Sequence, residues 1–442
     1  MEQIIQILLS EWQERTLPNI IRRDYDPGKI IERLPGKVLA LTGFRRVGKT
    51  FLVLDCIKDL LTTHNRKEVV YLNLEDERIP SQTEFLSSLI PAIQKITGIT
   101  PKFLFLDEIQ NIPNWSKWVR RIFETTETRI IITGSSSKLS MTEIPTELRG
   151  RYWELFISPL SFNEFLRFNQ YSPDREASLW NTEIQNKLNH YLDQYITWGG
   201  LPEIVLTSEP LRTELVQNYY RTVVYKDITE HFDLRNPELL KALIRLLLNH
   251  STITISQLHR ILSSSGIESS KNTIANYLEF VQSSFFVKLL TRFSFKFKEE
   301  LLFPRKVYCI DNAFLHALST GTTKDRGALF ENAIFHALDS AGFYLNYYKS
   351  GNNKQEIDFI SSLDSRVMFA VQASVDLTDH RTMEREVRAL INSSTELNCN
   401  NLIIINKEVD KTENIDWFGK TAGIRFIPAW KFLLNPSQIT RL

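Results

Sequence analysis

The chain is poor in cysteine: Cys56, Cys309 and Cys399 are the only three in 442 residues, far apart and in apolar surroundings. They form neither a CxxC pair nor an even set, which excludes a disulfide framework and suits reduced core thiols in the cytoplasm. An excess of charge of either sign is also missing. With 53 basic residues against 52 acidic ones, no global basic field advertises nucleic acid, and any such surface must be local. No apolar run approaches the length that spans a membrane, so no membrane is expected among the partners. Met1 to Leu9 is partly apolar but carries Glu2 and Gln6, without the basic start or small-residue cleavage site of a signal peptide. What remains is an ordinary globular composition, 43% apolar and 24% charged, in a length that suits about three domains.

The informative segment is Gly43-Phe44-Arg45-Arg46-Val47-Gly48-Lys49-Thr50, which spells GxxxxGK[ST] just after the apolar run Val38-Leu39-Ala40-Leu41. That run reads as a short buried strand. Glycine at both ends lets backbone N–H groups turn toward phosphate oxygens, Lys49 would reach the β and γ phosphates, and Thr50 would ligate Mg²⁺. A helix from Thr50 to Leu61 would add the positive end of its dipole. The pattern therefore points to a nucleotide such as ATP, with Mg²⁺, held by the eight residues of this loop.

A second apolar run, Phe103-Leu104-Phe105-Leu106, ends in Asp107-Glu108. Asp107 would hold the Mg²⁺ shell at the end of a strand beside the loop, and Glu108 would orient and deprotonate an attacking water. Arg129 to Ser136 would form a strand between the loop and the acids, bringing Thr133 or Ser135 to the γ-phosphate; its Gly134-Ser135-Ser136 tail also reads as a plain loop. Arg151 follows Gly150 ahead of a strand over Tyr152 to Ser158. It reads either as an arginine reaching a γ-phosphate in its own or a neighbouring subunit, or as a surface arginine.

Residues 1–35 read as one amphipathic helix, then a basic turn, Ile21-Arg22-Arg23-Asp24, with Pro35-Gly36 marking the boundary. From 36 to 158 strand and helix alternate, which requires right-handed crossovers and a mostly parallel sheet with the nucleotide at the strand C-terminal ends. Residues 159–235 are helical in pattern, broken by Gly199-Gly200-Leu201-Pro202. Residues 236–310 read as three short helices and a hairpin, with helix-turn-helix spacing. There ten basic residues face five acids, a local excess that suits a phosphate backbone, with Lys271, Asn272, Lys288, Lys296 and Lys298 as the expected contacts. Docking of a protein partner fits the same pattern. Residues 311–442 read as a second α/β unit in which Glu331, Asp358 and the end of the strand Val367 to Ala373 would converge on one metal. That strand end carries Gln372 and Ser374, which supply neither acid nor lysine.

Taken together, the chain resembles one group of bacterial and archaeal AAA+ type ATPases, in which a P-loop core precedes a winged helix and a nuclease-like domain of the PD-(D/E)XK kind. The resemblance rests on GFRRVGKT at Gly43 to Thr50, FLDEIQ at Phe105 to Gln110, TGSS at Thr133 to Ser136, Gly150-Arg151 with Pro159-Leu160-Ser161-Phe162, GGLPE at Gly199 to Glu203, Glu331-Asn332, and EIDF at Glu356 to Phe359. It implies an α/β fold: a parallel P-loop sheet with a helical lid, a winged helix, and a C-terminal restriction-endonuclease-like α/β domain. It also implies that Gly48, Lys49, Thr50, Asp107 and Glu108 serve the nucleotide and that Arg151 is a candidate finger. Glu331 and Asp358 are what remains of the nuclease triad, which favours a structural or binding role for that domain. Two readings follow. In one, the chain hydrolyses MgATP and moves its C-terminal modules on DNA or a DNA-bound partner, alone or as a homo-oligomer. In the other, it is a nucleotide-occupied regulator that binds DNA or protein with little turnover.

Overall fold

Val38–Thr42 (β1) is buried at every position, the signature of a strand covered on both faces. Around it lie Val69–Asn73 (β2), Phe103–Asp107 (β3), Arg129–Gly134 (β4) and Tyr152–Phe156 (β5), all parallel, in the order β2-β3-β4-β1-β5. In this computed structural model the described residues are 1–34, 36–134, 148, 150–230, 232, 234, 236–296, 303–319, 326–350, 355–363 and 366–440. The five segments read from the pattern along the chain fall into two compact units, residues 1–158 with 283–285, and residues 159–282 with 286–442.

In the first unit the sheet order puts β4 between the loop that follows β1 and the acids that end β3. Helices Lys49–Leu60 (α3), Thr83–Thr97 (α4) and Trp115–Thr125 (α5) supply the crossovers. Before β1, two helices form where one is expected, Glu2–Glu14 (α1) and Pro27–Arg33 (α2). The reason is local: Asp26 caps Lys29 N–H at 3.0 Å and Pro27 starts the second helix, while Pro18 lies in the non-helical stretch between them. α1 buries Ile5, Leu8, Leu9 and Trp12, and the Trp12 indole donates to the Val69 carbonyl on edge strand β2 at 2.8 Å.

The second unit opens with helices over Phe162–Phe168, Thr182–Trp198, Pro202–Leu206 and Glu209–Thr222, and a π-helical stretch Val223–Glu230. The glycine pair is explained by packing. A Cβ on Gly199, which has a φ of 68°, would lie 1.9 Å from Asp311 Oδ1, and one on Gly200 would lie 2.4 Å from the Leu160 carbonyl oxygen. Gly200 N–H donates to Asp311 Oδ2 at 2.7 Å and Leu160 N–H donates to Gly200 O at 2.7 Å, so the PLSF and GGLPE segments hold each other.

Helices Pro237–Asn249, Ile255–Ser264 and Lys271–Ser283 follow, with Thr252–Ile253 (β6), Val287–Leu290 (β7) and Arg305–Cys309 (β8) in an antiparallel sheet ordered β6-β8-β7. Ser270 Oγ accepts from Thr273 N–H at 3.0 Å, capping the third helix, whose Ile274, Leu278 and Val281 face inward. The last part carries a six-stranded mixed sheet made of Leu345–Lys349 (β9), Glu356–Leu363 (β10), Arg366–Ala373 (β11), Leu402–Asn406 (β12), Lys411–Trp417 (β13) and Lys420–Pro428 (β14), ordered β13-β14-β12-β11-β10-β9. Helices Arg326–Ser340 and His380–Leu397 pack on it, and the β13–β14 hairpin and the final helix Ala429–Leu434 are additions to the sequence reading. Among the described residues no helix is long and apolar enough to cross a membrane.

Candidate functional site

The loop after β1 is shaped by three residues with positive φ: Gly43 at 146°, Arg46 at 68° and Gly48 at 95°. A Cβ on Gly43 would lie 2.4 Å from the Ile157 carbonyl oxygen, so only glycine lets the loop pass the end of β5. Phe44 and Val47 point into the core, leaving their backbone to the cradle. Arg45 lies 3.8 Å from Glu75, a long and partly exposed pair worth little. No side chain caps the start of α3, so its positive end faces the loop. Lys49 is buried, and its Nζ donates to the Gly43 and Phe44 carbonyls at 3.0 and 3.1 Å.

The acids meet the loop through hydroxyls. Thr50 Oγ1 donates to Asp107 Oδ2 at 2.8 Å, and Tyr71 OH donates to the same oxygen at 3.0 Å. Thr133 donates to Asp107 Oδ1 and accepts from Glu108 N–H at 3.0 Å. The Thr133 hydroxyl thus organises the two acids. Ser135 lies outside the described residues. Burial pushes the Asp107 carboxyl above its usual range against the pull of the Thr133 and Thr50 hydroxyls, and the charge of Glu108 adds to the rise. Glu108 sits at a φ of 53°, rarely adopted by a residue with a side chain, and its carboxylate accepts from Gln110 Nε2. A hard divalent cation prefers such oxygen donors, and the Thr50 and Asp107 pair fits Mg²⁺ in donor chemistry.

Two supports escape the sequence reading. Arg23, in the stretch expected to be a basic turn, is buried and donates to the Val47 carbonyl at 2.8 Å and the Ser158 carbonyl at 3.0 Å, bracing the loop from behind. Tyr71 reaches Asp107 from β2. Neither carries a local motif; the arginine pair at Arg22 and Arg23 was the one visible hint. Arg151, by contrast, precedes β5, which pairs in parallel with β1 from Val38↔Tyr152 onward. It therefore lies at the opposite end of the sheet from the loop, about 16 Å away at the ordinary strand rise, and pairs with Glu124 at 3.3 Å. Reach to its own chain's γ-phosphate is excluded on that distance.

A second cluster forms in the other unit. Glu331, Glu356 and Asp358 converge on the ammonium of Lys306 from β8, at 2.9, 3.0 and 2.8 Å. Burial disfavours that ammonium, but Asp358, Tyr308, Glu331 and Glu356 outweigh it and hold its pKa well above the usual value. Burial raises Glu331; at Glu356 the burial cost is outweighed by Lys306, and the carboxyl lies below its usual range. Of the expected DNA contacts, Lys271 donates to Ser256 Oγ at 3.1 Å and Asn272 is exposed. Lys288 is committed to Asp339, and Lys298 lies outside the described residues. Lys296 follows β7, where its backbone N–H donates to Ser294 Oγ at 3.1 Å.

A glycine-walled loop on a parallel sheet, with lysine, hydroxyl and acids at one end, is the arrangement of a P-loop fold. The family model described as an AAA domain matches residues 35–166, and a domain of unknown function, DUF8612, matches residues 189–325. The uncharacterized protein MJ1544 of Methanocaldococcus jannaschii is 31% identical over 439 residues, 97% of this chain and 95% of that protein. The chain belongs to the same family. An uncharacterized protein of Haemophilus influenzae is 27% identical over 352 residues, covering 78% of this chain and 84% of its own. Among solved structures, the Aeropyrum pernix Orc1 protein in complex with DNA is similar at a TM-score of 0.29 and 13% identity, over 76% of this chain and 98% of that one. A likeness that loose carries no weight for mechanism or partner.

Proposed function

We propose that the chain is an ATPase that binds MgATP in the Gly43 to Thr50 loop and hydrolyses it. The observation that supports this best is the contact of 2.8 Å between Thr50 and the buried Asp107 beside Lys49. In this reading the loop amides and Lys49 hold the phosphates, Thr50 and Asp107 hold Mg²⁺, and Thr133 and Gln110 orient the acids. Bound Mg²⁺ would supply positive charge at the phosphate oxygens. As the water oxygen bonds to the γ-phosphorus, Glu108 takes its proton, and the bond from the γ-phosphorus to the β–γ bridging oxygen breaks with ADP keeping the electron pair. Of the readings of Arg151, a γ-phosphate arginine in its own or a neighbouring subunit or a surface arginine, the one we retain is service to a neighbouring subunit in a homo-oligomer. We read residues 236–310 as a winged helix that engages DNA or a DNA-bound partner through Lys271 and Asn272, and residues 311–442 as a nuclease-like domain without nuclease activity. Hydrolysis would drive the work of these modules.

The test is steady-state phosphate release with and without DNA. Lys49→Ala removes nucleotide binding, and Glu108→Gln keeps binding but slows turnover by about 10² to 10⁴-fold. Unchanged hydrolysis by purified Glu108→Gln protein removes Glu108 from the role of base. Slow release in the wild type that no partner accelerates selects the nucleotide-occupied regulator instead.

A further inference from the structure

The sequence places a divalent metal among Glu331, Asp358 and the end of β11, and the residues found there do not fit one. The point on which the carboxylates converge is filled by Lys306 Nζ, whose three N–H donors meet three acceptors: Asp358 Oδ1, Glu331 Oε1 and Glu356 Oε1. Further contacts engage the same acids. Tyr308 OH donates to Glu331 Oε1 at 2.7 Å and Ala373 N–H donates to Asp358 Oδ2 at 3.0 Å. Lys349 Nζ lies 3.3 Å from Glu356 Oε2.

On β11, Gln372 stands where a metal site would need an acid, and its amide is used as a cross-strand clasp. Its Oε1 accepts from Asp358 N–H at 2.8 Å, and its Nε2 donates to the Glu356 carbonyl at 3.0 Å and to Glu386 Oε2 at 2.6 Å. Among the described residues no group of three or more histidine, cysteine, aspartate or glutamate side chains has the geometry to hold a metal ion.

We infer that the Lys306 ammonium is the resident cation of this centre, standing where a divalent metal would, so that the domain folds without metal and the centre is closed to metal-dependent hydrolysis. A tethered cation holds its place without dissociating, because its local concentration is fixed by the chain. It also joins β8, from the three-stranded sheet, to β10 and the helix Arg326–Ser340. The hydroxyl of Tyr347 in β9 donates to the Pro304 carbonyl at 2.5 Å, fixing the approach to β8. The inference does not depend on the nucleotide site.

The test uses the full chain without nucleotide. For the wild type we expect a Tm indifferent to EDTA or Mn²⁺, and no Mn²⁺ uptake by calorimetry that Asp358→Asn abolishes. Lys306→Met leaves three carboxylates without their cation, so its Tm should fall by roughly 10 °C. Added Mn²⁺ should restore much of that loss, and Asp358→Asn in the same background should cancel the rescue. Wild-type protein that takes up Mn²⁺ through Asp358 overturns the inference. So does a Lys306→Met protein with unchanged Tm, or one destabilised but deaf to Mn²⁺. If Lys306→Met does not fold, the wild-type uptake measurement alone decides.

Discussion

Replacing Arg23 with alanine tests whether the phosphate loop is held from behind. The guanidinium is buried, lies 5.2 Å from the Tyr25 ring centroid, and supplies charge-assisted hydrogen bonds to the carbonyls of Val47 and Ser158. A hydrogen bond to a charged group is worth about 1.5 to 3 kcal/mol, and its removal leaves a buried acceptor unmet. Water entering the vacated space recovers part of this, so the expected loss of stability is about 3 kcal/mol. If about half of that loss is felt as freedom of the loop, nucleotide affinity falls by about 1.4 kcal/mol, or tenfold. The assay is titration of a fluorescent ATP analogue beside urea denaturation of the nucleotide-free protein. Arg23→Lys, able to reach one carbonyl, should fall between the two. An Arg23→Ala protein that loses stability but binds the analogue within twofold of wild type refutes the brace, because the arginine would then serve the fold alone.

Two further outcomes follow from burial and close approach. Asp107 has a folded-state pKa above its unfolded value, so the favourable contribution is fully present below the unfolded value of 3.8 and is lost as the pH rises through the folded one. Asp107→Asn removes that loss, so the nucleotide-free variant should have a higher Tm than wild type at pH 8 and a smaller advantage as the pH falls, while Mg²⁺-dependent stabilisation by ATP disappears; calorimetry across this range checks both. Gly200→Ala would press a Cβ to 2.4 Å from the Leu160 oxygen and 2.9 Å from its nitrogen. Strain plus the lost hydrogen bond should cost about 3 kcal/mol in urea denaturation, whereas Gly266→Ala, with nothing within 4 Å of its Cβ and a φ of 79°, should cost about 1 kcal/mol.

What could be read from the sequence was what short spacing encodes. The loop, the Asp107-Glu108 pair and the strand between them are each written in a few consecutive residues, and alternation of strand and helix fixed their common end of the sheet. Contacts made by folding over long separations were invisible. Arg23 serves carbonyls 24 and 135 residues away. Lys306 meets acids 25 and 52 residues downstream, and nothing in the local pattern of β8 distinguishes it from a lysine facing solvent. Lys288 looked available for a phosphate because its partner, Asp339, lies 51 residues on. The place of Arg151 is hidden for a related reason: proximity to a strand says nothing about which end of the sheet a residue occupies. The β13–β14 hairpin was missed although Phe418 and Gly419, both at positive φ, supply a tight turn between its strands.

The covering of β2 by α1 bears on how the sheet of the first unit is kept from growing. β2 is an outermost strand, and such borders invite a stranger's backbone to add another ribbon. Here the Trp12 ring takes one of the border's oxygens, while Arg66 ties the Trp12 carbonyl at 2.7 Å. Trimming the first fourteen residues would uncover that border and its apolar neighbours together, so a shortened protein should clump before it loses its nucleotide loop.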